Sequence, residues 1–449
     1  MSTAARRGET GRALQKTASS ASALWRPQAP VRRTGLPMLL REVASLRSTS
    51  GESAGLSAFV GIPGQRSVSS MYLRRLELRD FRNWREVDIS LLPGIVLFHG
   101  PNGAGKTNLL EAICVAALGE SPRARETQEM VRRGKDYAFA RAELQEADRS
   151  VRLEVGLART GQRQFKVNGV RKRRADLIGL APAVYFSADD IVVVKGEPGA
   201  RRQMLDAELA AISQPYYFHL LRYRRSLEQR NRLLKEIRAG RQSAEALGPW
   251  DRAAARYGAH VIVGRGGFIA ALAPEAARAH DLLTSRETGL VIEYRPSVGF
   301  PNGQSIDGSE EDKLLMADNI SIRLESALRA ERDTDIARGV TGSGPHRDDV
   351  ELLLGGEPVR WFGSQGQQRI CAVAIRLGVA AVVRRVVGES PLLLLDDVLS
   401  ELDAHHRAGV LSACREAEQV AITCCDPSDV PQAVQAHAAS FGVCDGQLI

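Results

Sequence analysis

Gly100-Pro101-Asn102-Gly103-Ala104-Gly105-Lys106-Thr107 is the stretch on which the fold turns. It follows Ile95-Val96-Leu97-Phe98, a short continuous apolar run of the kind shown by a strand buried on both faces. After it, Asn108–Leu118 reads as a helix, with Leu109, Leu110, Ile113 and Leu118 on one side. Strand, GxxxxGK[ST] and helix in that order is the context a P-loop requires. The glycines let backbone N–H groups close around phosphate oxygens, and the helix N-terminus adds positive potential. On this reading Gly100, Pro101, Asn102, Gly103, Ala104 and Gly105 cradle the phosphates of ATP. Lys106 reaches the β- and γ-phosphates, and Thr107 ligates Mg2+. The bland alternative is a glycine-rich turn that binds nothing, and the flanking strand and helix speak against it.

A P-loop alone does not separate a kinase from a transporter subunit or a DNA-repair ATPase, but the C-terminal third does. Pro391-Leu-Leu-Leu-Leu-Asp396-Asp397 reads as a buried strand ending in two acids, the Walker B arrangement. Asp396 is expected at the Mg2+, usually through water, and Asp397 where the water-activating acid belongs. Upstream, Ser364-Gln365-Gly366-Gln367-Gln368 runs into a helix whose apolar face carries Ile370, Val373, Ala374 and Leu377. Small residues at a helix N-terminus make a second anion site. In ABC-type ATPases this signature segment meets the γ-phosphate held by the other subunit, so Ser364, Gln365, Gly366 and Gln367 join the expected ATP contacts. Taken alone, Ser364 is equally well a helix N-cap. Leu399–Asp403 matches the loop that runs along the dimer interface of the same class.

These residues resemble the RecF family. The resemblance rests on Leu78-Arg-Asp-Phe-Arg-Asn-Trp84, the P-loop, Gly344-Pro-His-Arg-Asp-Asp349, Ser364–Arg369 and Leu395-Asp-Asp-Val398, and it spans residues 71–449. It implies an ABC/SMC-like α/β ATPase head that dimerises on ATP, hydrolyses it slowly and binds DNA. It also implies action at single-strand gaps and double/single-strand junctions in DNA replication, recombination and repair, with RecO and RecR as partners and a part in the SOS response. The localisation it implies is cytoplasmic, at the nucleoid. Three positions depart from the pattern. Ala188-Asp189-Asp190 keeps the acids but lacks the usual proline, Gly363 stands where transporter ATPases place a leucine, and Thr423-Cys424-Cys425 offers no switch histidine.

Composition narrows the rest. The apolar and charged fractions are those of an ordinary globular chain. The most apolar stretches, 261–273 and 371–387, are broken by Arg265, Arg376, Arg384 and Arg385, which argues against a membrane span. The six cysteines show no CxxC spacing and read as free or buried thiols. Residues 1–70 carry nine Arg and one Lys against three Glu, so nearly all of the net +8 lies there. Their Ser, Ala, Gly, Pro and Arg content predicts disorder. They read either as translated leader before a start at Met71 or as an organelle transit peptide, which would move the localisation to an organelle.

Four segments follow: 1–70 as an extension, 71–200 as the N-terminal part of the ATPase head, 201–338 as a mainly helical lobe inserted into it or beside it, and 339–449 as the C-terminal part. Helices are expected along Tyr217–Ile237, near 251–283 and near 310–338. No long heptad run appears, which argues against a chromosome tether. Two basic clusters stand out as phosphate contacts: Arg222, Arg224, Arg225, Arg230 and Arg232, and Arg163–Arg174, which includes Lys172 and Arg173. The alternative for both is a solvated surface. Asn168-Gly169 predicts a hairpin turn that exposes the second cluster. The competing reading is a soluble ABC-type ATPase subunit acting on a protein or transport partner. The wide gap between P-loop and Walker B, and the missing switch histidine, speak against it.

Overall fold

The computed structural model describes residues 71–146, 149–285, 287, 289–300 and 309–449. The disorder expected for 1–70 lies outside the described residues. The centre of the molecule is a six-stranded sheet in the order β15-β14-β3-β13-β12-β8. Its strands are β3 (Gly94–His99), β8 (Ala183–Ser187), β12 (Leu392–Asp396), β13 (Gln419–Cys424), β14 (Ala439–Cys444) and β15 (Gln447–Leu448). All pairs are parallel except β14 with β15.

Period-two alternation sends each strand's apolar residues to two separate cores. Leu97, Val184, Phe186, Leu393, Leu395, Val420 and Ile422 face one core. Val96, Phe98, Tyr185, Leu392, Leu394 and Ala421 face the other. Helix α1 (Lys106–Leu118) lies in the second core, against an antiparallel sheet in the order β2-β1-β4-β5-β6-β7. The strands of that sheet are β1 (Met71–Phe81), β2 (Trp84–Ser90), β4 (Tyr137–Glu146), β5 (Arg149–Ala158), β6 (Arg163–Val167) and β7 (Val170–Lys172). Sandwiched between two sheets, α1 is buried on every side from Leu109 to Ala117, rather than along the single stripe its leucines suggest.

The first core is covered by α2 (Pro198–Ile212), α3 (Gln214–Arg238), α4 (Gly248–Thr284), α5 (Glu310–Ala330) and α6 (Gln365–Val387). Ile262, Leu324 and Val379 belong to this one core together with Leu393 of the central sheet. A Cβ at Gly378 would meet the Ala276 backbone at 2.8 Å, so the α4–α6 crossing depends on a glycine there. Strand β9 (Leu290–Arg295) pairs antiparallel with β10 (Asp349–Leu354) and so ties the helical segment to the C-terminal part of the chain. The helices expected in 201–338 are present, and β9 is an element their periodicity did not announce. Among the described residues no helix is long and apolar enough to cross a membrane.

Candidate nucleotide-binding site

The carboxyl ends of β3, β13, β12 and β8 line up in register: His99 opposite Cys424, Thr423 opposite Asp396, Asp396 opposite Ser187. In an open parallel sheet this edge is where ligands bind. The P-loop leaves β3 at this edge and enters α1 through Gly105, which has φ 115° and lies against the Asn83 side chain, at 2.5 Å from where a Cβ would stand. Two requirements, a left-handed backbone and no side chain, thus fall on one residue. The turn between β1 and β2 braces the loop from outside. Asn83 Nδ2 donates to the Ala104 carbonyl at 2.9 Å, Trp84 Nε1 donates to the Gly105 carbonyl at 3.1 Å, and Asn108 Nδ2 donates to Asn83 Oδ1 at 2.8 Å. Arg82 clamps the buried Glu111 of α1 with two hydrogen bonds, at 2.8 and 2.7 Å.

Lys106 Nζ folds back onto the carbonyls of Gly100 and Pro101, at 2.6 and 3.0 Å, so the ammonium points into the loop. Thr107 Oγ1 donates to Asp396 Oδ1 at 2.8 Å, a contact between residues 289 positions apart. Asp396 shares the parity of Leu392 and Leu394, which turns its side chain to the α1 face of the sheet. There Thr423 Oγ1 donates to Oδ1 at 2.8 Å and Tyr185 Oη donates to Oδ2 at 2.6 Å. Burial, and then the charge of Asp396, raise the Tyr185 phenol above its ordinary range, so it remains a donor. Thr107 and Asp396 form a hard-oxygen pair suited to Mg2+, which prefers one or two carboxylates together with phosphate oxygens.

Asp397 departs from the strand with φ 54°, a left-handed conformation unusual outside glycine. It is held there by Ser400 Oγ donating to Asp397 Oδ1 at 2.8 Å and by its own N–H donating to Thr423 Oγ1 at 2.9 Å. Strain of this kind persists where neighbours over-determine it and concentrates at functional sites. Where transporters keep a histidine, Cys425 Sγ donates to Asn102 Oδ1 at 2.9 Å, against the P-loop. Burial pushes the neighbouring Cys424 thiol up to about 12. All six cysteines are free.

Ser364 caps α6. Its Oγ accepts from Gln367 N at 3.3 Å, and Ser364 N donates to Gln367 Oε1 at 2.8 Å, a reciprocal capping box. Ser364, Gln365, Gly366 and Gln367 are all exposed. Behind them a cleft of about 280 Å³ is lined by Gly366, Gln367, Arg369, Glu401 and Asp403, with no P-loop residue in its wall. Arg369 pairs with Glu401 at 2.9 Å and so joins the signature helix to the segment after Walker B. Asp190, in the variant Ala188-Asp189-Asp190 segment, binds Arg376 of α6.

The basic clusters divide. On α3, Arg222 and Arg225 are exposed, with Arg222 over the Phe218 ring at 5.3 Å. Arg224 is exposed but reaches back to Asp206 at 3.0 Å. Arg230 corrects the expectation for that cluster. It is fully buried, paired with Asp251 and Asp335 at 2.7 Å each, and has no surface to offer phosphate. Arg232 is exposed beside Glu236. Burial, then His260 and Arg256, push the nearby His219 down to about 4, so at neutral pH it adds no charge to this face. Asn168 and Gly169, at φ 51° and 80°, make the expected two-residue turn between β6 and β7. Lys172 and Arg173 are exposed beyond it, Arg173 facing Asp176 at 3.5 Å.

Sequence reasoning did not assign roles to Asn83, Trp84, Glu111, Tyr185, Thr423 or Ser400. Asn83 and Trp84 stood in a stretch already singled out. Thr423 had a weaker signal, a hydroxyl directly after the apolar run Val420-Ala421-Ile422.

A family model for the RecF/RecN/SMC N terminal domain matches residues 72–443. DNA replication and repair protein RecF of Symbiobacterium thermophilum is 39% identical, over 80% of this chain and 93% of its own. The RecF protein of Acidothermus cellulolyticus is 36% identical, over 80% and 96%. A solved structure of the recombination mediator protein RecF with ATP, in the RecFOR pathway, matches with a TM-score of 0.74 at 31% identity, covering 85% of this chain and 97% of that one. The corresponding RecF-ATPrS structure gives 0.76 at 30%, over 85% and 99%. With an ABC-type head of matching fold and relatives of this identity along most of its length, the chain belongs to the RecF family.

Proposed function

We propose that this chain binds and slowly hydrolyses ATP to control its hold on DNA, in replication, recombinational gap repair and SOS induction. The observation that carries the reading is the 2.8 Å contact between Thr107 and Asp396, which joins two motifs 289 positions apart into one site. Lys106 balances the charge on the β- and γ-phosphates, and the P-loop glycines admit them to the backbone N–H groups. Thr107 and Asp396 would hold Mg2+, which would neutralise charge on the phosphate oxygens. Asp397, set apart by its backbone turn, takes a proton from the attacking water. The relatives solved with ATP support the choice of nucleotide.

Ser364–Gln367 lies outward on the chain and serves the nucleotide of a second copy, so ATP closes a homodimer and hydrolysis opens it. The segments 71–200 and 339–449 act as the head, and 201–338 as its helical lobe. Arg222, Arg224, Arg225, Lys172 and Arg173 contact DNA through phosphate, without reading sequence. RecO and RecR are the partners the family implies.

The test is binding of the chain to gapped duplex DNA with no nucleotide, ADP or ATP, at two salt concentrations. Tight, salt-sensitive binding with ATP alone is the expected result. Binding indifferent to nucleotide would favour an ATPase subunit that works on a protein partner.

A further inference from the structure

Asp396 is held by three hydroxyls, and they are not equivalent. Thr107 and Thr423 both donate to Oδ1, while Tyr185 alone among the described residues donates to Oδ2. Thr107 is also the hydroxyl that would meet Mg2+, through an oxygen lone pair, and its O–H points to the same Asp396 oxygen as that of Thr423. Thr107 and Thr423 thus restrain one oxygen and Tyr185 the other, and together they fix the plane of the carboxylate. Without Tyr185 the group is pinned through one oxygen and turns about Cβ–Cγ.

Tyr185 reaches this position because β8 runs beside β12 in register, with Leu394 opposite Tyr185 and Asp396 opposite Ser187. The ring faces the α1 side of the sheet with Leu394, and its hydroxyl is drawn toward the strand end, where Asp396 stands. Tyr185 also lines a cavity of about 200 Å³ between α1 and α2, and replacing it with phenylalanine adds no atom there.

We infer that Tyr185 is a positioning residue for the metal site: its hydroxyl orients the Asp396 carboxylate and thereby sets the affinity for the nucleotide-bound divalent cation. The inference rests on the reading of Asp396 as the carboxylate at the Mg2+. Groups that orient metal ligands in this way typically contribute 10–100-fold in affinity.

The experiment is Mn2+ binding to the full chain in the presence of ADP, followed by electron paramagnetic resonance, with metal-free ADP affinity measured alongside. Tyr185→Phe should weaken Mn2+ binding roughly 10-fold, with metal-free ADP affinity unchanged. Tyr185→Met, which also lacks the hydroxyl, should give the same loss and separates the missing hydroxyl from ring packing. Adding Tyr185→Phe to Asp396→Asn should cost nothing further, because the group it orients is gone. If Asp396→Asn weakens Mn2+ binding and both Tyr185 variants bind as the unaltered chain does, Tyr185 has no positioning role and the site reading stands. If Asp396→Asn itself leaves Mn2+ binding intact, the site reading fails and the inference goes with it. A loss of metal-free ADP affinity equal to the loss of Mn2+ affinity would mark Tyr185 as a general packing residue and overturn the inference.

Discussion

The two ends of the proposed nucleotide site are built in opposite ways. Around Asp396 the polar atoms are buried or half-buried and satisfied by one another, with hydroxyls from three parts of the chain converging on a single carboxylate. Around Ser364 the polar groups are exposed, and the Ser364 and Gln367 side chains each bond the other residue's backbone N–H. An arrangement that is complete inside the chain has its chemistry fixed by the fold. One that caps itself at the surface is free to exchange its internal hydrogen bonds for those of something arriving from outside. Trp361 and Phe362, each 70% exposed beside Ser364, give that surface an apolar margin. The difference is what a site shared between two copies requires, with one half anchored and the other presented.

The largest effect is expected inside the anchored half. Lys106→Ala removes the charge that meets the phosphates and should lower the hydrolysis rate on the order of 100-fold or more, measured by phosphate release. An unchanged rate would break the P-loop assignment. Asp397→Asn should slow hydrolysis by roughly 100-fold while ATP binding persists, so that ATP-bound dimers accumulate in sedimentation. Normal turnover in that variant would move the base elsewhere.

The presented half should respond differently. Ser364→Arg is expected to leave ATP affinity of the single chain intact and to abolish the ATP-dependent rise in mass seen by light scattering. Dimers that still form would show that Ser364 does not face a partner.

Helix α3 sharpens the same contrast between anchored and presented groups. Arg230→Ala leaves Asp251 and Asp335 without their buried partner and should cost about 3–5 kcal/mol of stability, read by denaturant unfolding, whether or not DNA is present. Arg222→Glu with Arg225→Glu should leave stability nearly unchanged and lower DNA affinity. With two phosphate contacts removed, the slope of log affinity against log salt should flatten by about 2. Equal DNA binding would return these residues to an ordinary solvated surface.

The sequence displayed the first pattern far better than the second. A P-loop and a Walker B strand are legible because backbone chemistry dictates glycine, lysine, hydroxyl and acid at fixed spacing. Residues that support them obey no such spacing: Tyr185 and Thr423 come from strands flanking β12, and only strand order brings them to Asp396. Asn83 and Trp84 brace the P-loop across a sheet-to-helix interface that no local window contains. Basic residues are the hardest case. Arg222 and Arg230 stand on one helix, eight positions apart and about two turns, yet one is solvated and the other fully buried. The sequence around Arg230 shows no acid that announces the pairing, because Asp251 and Asp335 come from other elements. Strand β9 was missed for a related reason: its partner β10 is supplied from beyond the helical segment.

The claim that most needs testing is that the anchored half of one chain works with the presented half of another. Mixing Lys106→Ala chains with Ser364→Arg chains tests it directly. Each variant alone has no intact site, whereas a mixed dimer pairs the unaltered Lys106 of one chain with the unaltered Ser364 of the other. The account predicts that the mixture recovers ATP hydrolysis that neither variant shows alone. A mixture no more active than the sum of its parts would contradict it and place both halves of the site within a single chain.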